Sequence, residues 1–471
     1  MSDATRTESD SFGPIDVPAD KLWGAVTERA RRNFVIGNER MPDELIRAFG
    51  IQKLAAARAN VALGALPTEL GAAIAAAAQE LADGKLSEHF PLPVWQTGSG
   101  TQTNMNVNEV LANRANQRLG RPLGAKAPVH PNDHVNLGQS SNDSVPTAIH
   151  IAAALAMRAR LLPALHRLRD ALHAKAQAFH DVVKIGRTHL MDAVPTTLGR
   201  EFATWAHQVG LGIGRVGHAE KALFHLPQGG TALGTGLNAA QGFAERFAGE
   251  AALITGLPFV DGGDLAEGIA SHDALVEVSG ALNVLAASLM KIANDIRLLA
   301  SGPRAGLAEI RLPENEPGSS IMPGKVNPTQ NEALAMVCVQ VMANHVAITI
   351  AGSQGHLELN TYKPLMASAL LQSIRLLADA CVSFADKAVA GIEPDRERMQ
   401  ELLSRSLMLV TALTPHIGYD KAAKIAHTAL HQDLTLREAA IASGWVSAED
   451  FDRWVDAAKM LGPGGASGGG G

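Results

Sequence analysis

Residues 328–353 are the stretch that most restricts how this chain folds. Ala333, Leu334, Met336, Val337, Val339, Val341 and Met342 are interrupted only by Gln340, Asn344 and His345, so a helix here is apolar on nearly every side. Such a helix has to be covered, by lipid or by other helices. Gln340 and Asn344 speak against a membrane span. The expected cover is therefore a set of long helices, including those of neighbouring copies of the chain, which predicts a homo-oligomer with a shared helical core and no membrane association.

The rest of the chain agrees with that expectation. Residues 146–179 carry Ala, Leu and Met at recurrent spacings of three and four with Arg158, Arg160, Arg167 and Arg169 between them, and Pro163 is expected to kink or break the helix. Similar helical stretches cover 195–224 and 272–300, separated by glycine-rich breaks at 229–230, 234–236 and 262–263. With 46% hydrophobic and 4% aromatic residues, the reading is a mainly α protein built on a long-helix bundle. Pro91, Pro93, Pro122, Pro128 and Pro131 set the first part apart, and charge density rises after residue 393. The expected division is an N-terminal domain at 1–138, a central helical-bundle domain at 139–392, a small helical C-terminal domain at 393–461 and a flexible Gly-rich tail at 462–471.

Charge limits the partners. A net charge of −6 argues against a general nucleic-acid surface, so any anion site is made by local donors and one or two cations. Cys338 and Cys381 are too few for a disulfide framework or for a four-thiolate iron–sulfur cluster. The polar, acidic start of the chain lacks an apolar h-region, so a cytoplasmic location is expected.

Residues 318–328, Gly-Ser-Ser-Ile-Met-Pro-Gly-Lys-Val-Asn-Pro, hold two hydroxyls, a lysine and an amide ahead of a helix. Asn327 suits the N-cap, Pro328 the first helical position, and Gln330 falls where a capping box places its third residue. Backbone donors beside Lys325 favour a bound carboxylate or phosphate. A nucleotide-binding loop is ruled out by spacing: five residues separate Gly318 from Gly324, and Val326 follows Lys325 where a magnesium-binding hydroxyl is needed. An ordinary interhelical turn does not call for a lysine and an amide at fixed offsets.

Three other polar clusters stand out. Residues 97–109 (Thr-Gly-Ser-Gly-Thr-Gln-Thr-Asn-Met-Asn-Val-Asn-Glu) include Ser99 and Thr101, and residues 138–143 (Gly-Gln-Ser-Ser-Asn-Asp) include Ser140, Ser141 and Asn142 at a helix start. Local hydrogen bonding or capping accounts for one residue of the second cluster, not three. His130, Asp133 and His134 suggest metal, but Pro131 and the irregular spacing fit no common tetrahedral site. In 186–195, Thr188 and His189 read as a loop just ahead of a helix. A lone histidine among seventeen is usually structural, and His189 gains interest only from its company.

These residues together resemble the fumarase/aspartase superfamily, and most closely its class II, iron-independent fumarases. The resemblance covers nearly the whole chain. It rests on the 318–328 loop with its continuation Thr329-Gln330-Asn331-Glu332-Ala333, on Trp95-Gln96-Thr97-Gly98-Ser99-Gly100-Thr101-Gln102, on Val129-His130-Pro131-Asn132-Asp133, on Gln139-Ser140-Ser141-Asn142-Asp143 and on 415–424. Enzymes resembling aspartase usually carry an apolar pair and a proline before the glutamate, where this chain has Thr329-Gln330-Asn331, so the fumarase form is favoured.

The resemblance implies a mainly α fumarase/aspartase-like fold and the reversible addition of water to fumarate giving L-malate, with no cofactor and no metal. It implies a homotetramer whose active sites are shared between three subunits. It assigns Ser319 as the base that takes the C3 proton of malate, with Lys325 and Asn327 binding the carboxylate that becomes an aci-acid. His189 acts at the C2 hydroxyl, and Glu332 orients and charges its imidazole. Ser99, Thr101, Ser140, Ser141, Asn142, Thr188 and Ser320 fall among the substrate-binding groups, and His130, Asn132 and Asp133 match a second dicarboxylate site. The chemistry explains the donors: a proton lost beside a carboxylate leaves a dianion, so the site needs a base and fixed donors aimed at the developing charge.

Leu22, Val26, Met191 and Leu298 depart from residues common among relatives, and none removes a proposed catalytic group. Two other readings are an ammonia lyase acting on aspartate and a non-catalytic structural protein on a lyase scaffold. The intact Ser319, Lys325, Asn327 and His189 argue against the second.

Overall fold

The computed structural model describes residues 4–462; of the tail expected at 462–471, residues 463–471 lie outside the described residues. The chain opens with a hairpin, β1 (Thr5–Asp10) and β2 (Gly13–Pro18), then α1 (Ala25–Asn33), α2 (Asp43–Ala62), α3 (Thr68–Ala82), α4 (Thr101–Arg118), α5 (Ser141–Ala156) and α6 (Leu162–Ala178). A second hairpin, β3 (Val183–Thr188) and β4 (Met191–Thr197), precedes α7 (Leu198–Ala219), α8 (Phe243–Thr255), the single turn α9 (Glu267–Ala270), α10 (Asp273–Leu299), α11 (Thr329–Gly352) and α12 (Lys363–Lys387). Short helices follow: α13 (Arg396–Arg405), α14 (Thr414–Ile417), α15 (Tyr419–His431), α16 (Leu436–Ala442) and α17 (Ala448–Trp454). The fold is mainly α, as expected, and α10 to α12 at 24 to 27 residues each run about 36–40 Å at the helical rise.

The chain divides into two compact units: residues up to 164 with 212–287 and 337–379, and residues 165–211 with 288–336 and 380 onward. In the first unit, α2 is the organising helix. Pro42 precedes it and Asp43 and Glu44 fill its first turn, where acidic side chains complement the exposed N–H groups. It packs on α3, α4, α5 and α8, burying Leu45, Ile46, Phe49 and Leu54. Full burial of each such side chain contributes roughly 1.5–3 kcal/mol. In the second unit, residues 407–455 close a small core of their own around Leu413, Ile425, Ala440 and Phe451.

One helical expectation needs revision. Pro163 does not break the helix: Ser141–Ala178 is continuous. Met157–Leu161 widen into a π turn in which the Leu162 amide bonds Met157 O, and this extra residue gives the proline ring room without ending the helix. Helix α11 is covered by this chain on one side only. Asn331, Leu334, Cys338, Val341, Asn344, Ile348 and Ala351 are buried, whereas Met336, Val339, Val346 and Ile350 stay more than half exposed. The buried set recurs at steps of three and four residues, so it lies along one face of the helix. Asn344 donates across that seam to Ala369 O, Gln372 and Ser373 on α12. By length and composition α11 and three other helices are apolar enough to span a membrane, but in α11 the buried amides of Asn331 and Asn344 bond protein groups.

Candidate active site

The 97–101 loop is drawn close to the chain just before α12. A Cβ on Gly98 would stand 1.4 Å from Thr361 O, and Gly98 O accepts the amide of Lys363 at 2.9 Å, so only glycine fits. Gly100, at a left-handed φ of 75°, turns the chain into α4 and places Thr101 on its first turn. The hydroxyls of Ser99 and Thr101 lie 2.8 Å apart.

Ser140, Ser141 and Asn142 open α5. Ser140 is the N-cap: its Oγ accepts from the Asn142 amide at 3.2 Å, while Asp143 Oδ1 accepts from the Ser140 amide at 2.9 Å. The buried Asp143 also receives the amides of Gly229 (3.0 Å) and Thr231 (2.9 Å). Burial pushes its carboxyl up to about 6, against the pull of these donors. Ser141 Oγ accepts from Asn104 Nδ2 at 2.9 Å, and Asn142 Nδ2 donates to Ala232 O at 2.7 Å. Within this unit the structure therefore brings Ser141 to α4, one turn beyond Thr101. His130, Asn132 and Asp133 share a single turn: His130 Nδ1 accepts from the amides of Asn132 (3.3 Å) and Asp133 (3.2 Å), and the His130 amide donates to His134 Nδ1 at 2.8 Å.

In the other unit, Thr188 and His189 are not a loop ahead of a helix. They end β3 and form the tip of a two-residue hairpin, with Thr188 paired to Met191 and both His189 (φ 58°) and Leu190 (φ 63°) left-handed. Such turns suit the right-handed twist of paired strands but normally use Asn or Gly, so the two side chains are held there by the rest of the hairpin. What holds it is charge: Lys184 Nζ lies 2.8 Å from Glu201 and 3.0 Å from Glu309, and Arg187 Nη1 donates to Glu309 at 2.8 Å. Burial pushes the Glu201 carboxyl up, with Lys184 opposing.

The 318–328 loop folds on itself. A Cβ on Gly318 would lie 2.1 Å from Lys325 O. Ser319 Oγ accepts two backbone amides, Ile321 at 3.3 Å and Met322 at 3.0 Å, and donors of this kind stabilise negative charge on the oxygen. Asn327 Nδ2 bonds Gly318 O. The expected capping box at Asn327 is absent, since this amide closes the loop and Gln330 accepts from Ser383 Oγ at 2.7 Å instead. The helix starts at Thr329. Ser320, Lys325 and Glu332 are exposed, and among the described residues no ion pair or hydrogen bond joins Glu332 to His189. Of the departures from relatives, Leu22 is buried while Met191 and Leu298 are exposed; Val26 donates its amide to Glu109.

Lys53 and Asn136 were not singled out by sequence, and Asn104 only as part of the 97–109 cluster, yet they support the α5 cluster directly. Lys53 Nζ donates to Asn136 Oδ1 (3.0 Å) and Gln139 Oε1 (2.9 Å). Its signal was positional: it lies one helical turn after Phe49, on the face that α2 buries.

A family model described as lyase matches residues 13–343, and one described as fumarase C C-terminus matches 409–462. The chain is 61% identical over 461 residues to fumarate hydratase class II 2 of Bradyrhizobium diazoefficiens, covering 98% of both. It is 59% identical over 460 residues to fumarate hydratase class II of Brucella suis biovar 1, covering 98% of this chain and 99% of the relative. The solved class II fumarase of Schistosoma mansoni superposes with a TM-score of 0.95 at 44% identity, over 97% of this chain and 99% of that one. Helical fold and donor-rich loops are thus those of a lyase. More narrowly, the chain belongs to the class II fumarate hydratase family.

Proposed function

We propose that this chain catalyses the reversible hydration of fumarate to L-malate in the cytoplasm. The observation that carries the reading is the Ser319 hydroxyl, whose oxygen receives two backbone amides in a loop that also presents the exposed Lys325. In the dehydration direction Ser319 Oγ takes the C3 proton of malate, leaving an aci-carboxylate dianion. Lys325 and Asn327 hold the carboxylate on which that charge develops, and Ser320 adds a hydroxyl beside the base. His189, oriented by Glu332, delivers a proton to the departing C2 hydroxyl, which leaves as water; hydration is the reverse. Donors fixed before reaction lower the barrier because they need no reorganisation when the charge appears. Ser99, Thr101, Ser140, Ser141, Asn142 and Thr188 position the substrate, and His130, Asn132 and Asp133 form a second, outer dicarboxylate site.

The working form in this reading is a homotetramer. Its site takes the 97–143 clusters, the 188–189 hairpin tip and the 318–332 loop from three different subunits, each organised as an N-terminal domain at 1–138, a central helical domain at 139–392 and a small C-terminal domain at 393–461. The exposed stripe of Met336, Val339, Val346 and Ile350 supports it, since an apolar stripe on a 24-residue helix calls for a partner.

The test is to follow fumarate consumption in parallel with water alone and with added ammonia, in wild type and Ser319→Ala. Hydration by the wild type and a loss of roughly a hundred- to ten-thousand-fold in Ser319→Ala are expected. Turnover only with ammonia contradicts the reaction, and a near wild-type rate in Ser319→Ala contradicts the base.

A further inference from the structure

Asp143 is a fully buried carboxylate, and among the described residues no ion pair reaches it. Its hydrogen-bond partners are all donors. Oδ1 accepts the Ser140 amide at 2.9 Å and the Ser144 hydroxyl at 3.3 Å, and Oδ2 accepts the amides of Gly229 at 3.0 Å and Thr231 at 2.9 Å. Three of these are backbone N–H groups, whose direction cannot be reversed. An asparagine of the same shape has a single oxygen, so it would set its NH2 against N–H groups on one side or the other. The position therefore calls for a carboxylate, although burying an unpaired one is unfavourable.

The two oxygens join pieces of chain 86 residues apart, the start of α5 and the turn at 227–234. Within that turn the Gly230 amide bonds Pro227 O at 3.2 Å and the Gly234 amide bonds Gly230 O at 2.9 Å. These bonds set the turn's shape, not its place against α5. Its place is set by polar contacts: the two amides on Asp143 Oδ2, and Ala232 O, which accepts from Asn142 Nδ2 at 2.7 Å. That last bond has a consequence for Asn142. Its amide is planar and carries two N–H groups, so where Ala232 O takes one, the direction of the second is fixed. Among the described residues the second bonds no group of the chain.

We propose that Asp143 is a positioning residue for the hydration reaction: it hangs the 227–234 turn on the start of α5, and the turn, through Ala232 O, aims the second N–H of Asn142 at a substrate carboxylate. The inference rests on the proposed placement of Asn142 in the substrate site. It assigns Asp143 no contact with substrate and no part in proton transfer.

The test uses the full-length protein and initial rates of fumarate hydration. Asp143→Asn keeps the shape and sets N–H against N–H; it should raise KM for fumarate roughly tenfold, the worth of one misplaced hydrogen bond, with kcat changed less than about threefold. The split is expected because a bond of equal strength in ground and transition states enters KM alone. Gly229→Ala disturbs the turn and leaves Asp143 and the Ser140 cap in place, since its methyl would stand 2.7 Å from Ala244 Cβ at a φ of 103°. It should reproduce the KM rise. In an Asn142→Ala background Gly229→Ala should change KM by less than about twofold, because the group the turn aims is gone. A merely structural role would lower the amount of active protein, and with it kcat, at an unchanged KM. An unchanged KM in Asp143→Asn, or an equal rise from Gly229→Ala with and without Asn142, overturns the inference; where Asp143→Asn fails to fold, the Gly229→Ala comparison decides. Absence of fumarate hydration by the wild type would instead overturn the reading on which it rests.

Discussion

Glu309→Gln tests how the His189 hairpin is held. The Glu309 side chain has no exposure, with Lys184 at 3.0 Å on one oxygen and Arg187 at 2.8 Å on the other. Neutralising it leaves Lys184 (side chain 1% exposed) and Arg187 (14%) with Glu201 as the remaining close carboxylate, so one buried positive charge goes uncompensated. Breaking a buried pair from one side costs about 3–5 kcal/mol, and the partial exposure of Arg187 places this case near the lower figure. At fixed protein concentration the thermal midpoint of this 471-residue chain should fall on the order of 3 °C. Because Arg187 adjoins Thr188 and His189, kcat/KM should fall as well. The companion Lys184→Met removes one cation while Glu309 keeps Arg187, and should lower the midpoint less. A Glu309→Gln protein that melts within about 1 °C of wild type, with kcat/KM unchanged, would refute the electrostatic account of the hairpin.

Gly98→Ala places a methyl where Thr361 O stands, which displaces Ser99 and Thr101; kcat/KM for fumarate should drop on the order of a hundredfold, as steady-state rates would read. His150 is held neutral by burial and pulled down to about 4. Its folded value lies below the ordinary 6.5, so the stability it contributes is present above pH 6.5 and is lost as pH falls through about 4; His150→Gln should flatten the melting-temperature profile across that window. Val339→Asp puts a charge in the exposed stripe of α11 and, if the proposed tetramer forms through that stripe, should shift it to smaller species in light scattering, with loss of hydration activity.

Much of the helical architecture could be read from the chain because its signal is long and periodic. The 273–299 and 329–352 helices lie within a residue of the 272–300 and 328–353 expectations. The 183–197 hairpin was missed for a local reason: its strands are short, and Pro195, which resembles a helix start, instead pairs with Ile185 in a two-stranded ribbon with both edges open. Pro163 misled in the opposite sense, since a π turn absorbs what a proline normally breaks. At the site, a cap within Ser140–Asn142 was legible because capping is encoded within four residues, though not that Ser140 is the one. Lys53 was not, because a lysine in an alanine-rich helix reads as a solvated charge until its neighbours at Phe49 and Asn136 are known. In the proposed tetramer the pairing of His189 with Glu332 is made between copies of the chain, which no local pattern encodes.

The central claim is that one dicarboxylate is held jointly by these separated loops, and the most direct measurement is a crystal structure of the assembled protein with a bound substrate or a non-reacting dicarboxylate. The account predicts carboxylates contacting Thr101 and Ser140–Asn142 of one subunit, His189 of a second, and Ser319, Lys325 and Asn327 of a third. A dicarboxylate held by residues of one subunit alone, or away from Ser319, would contradict it.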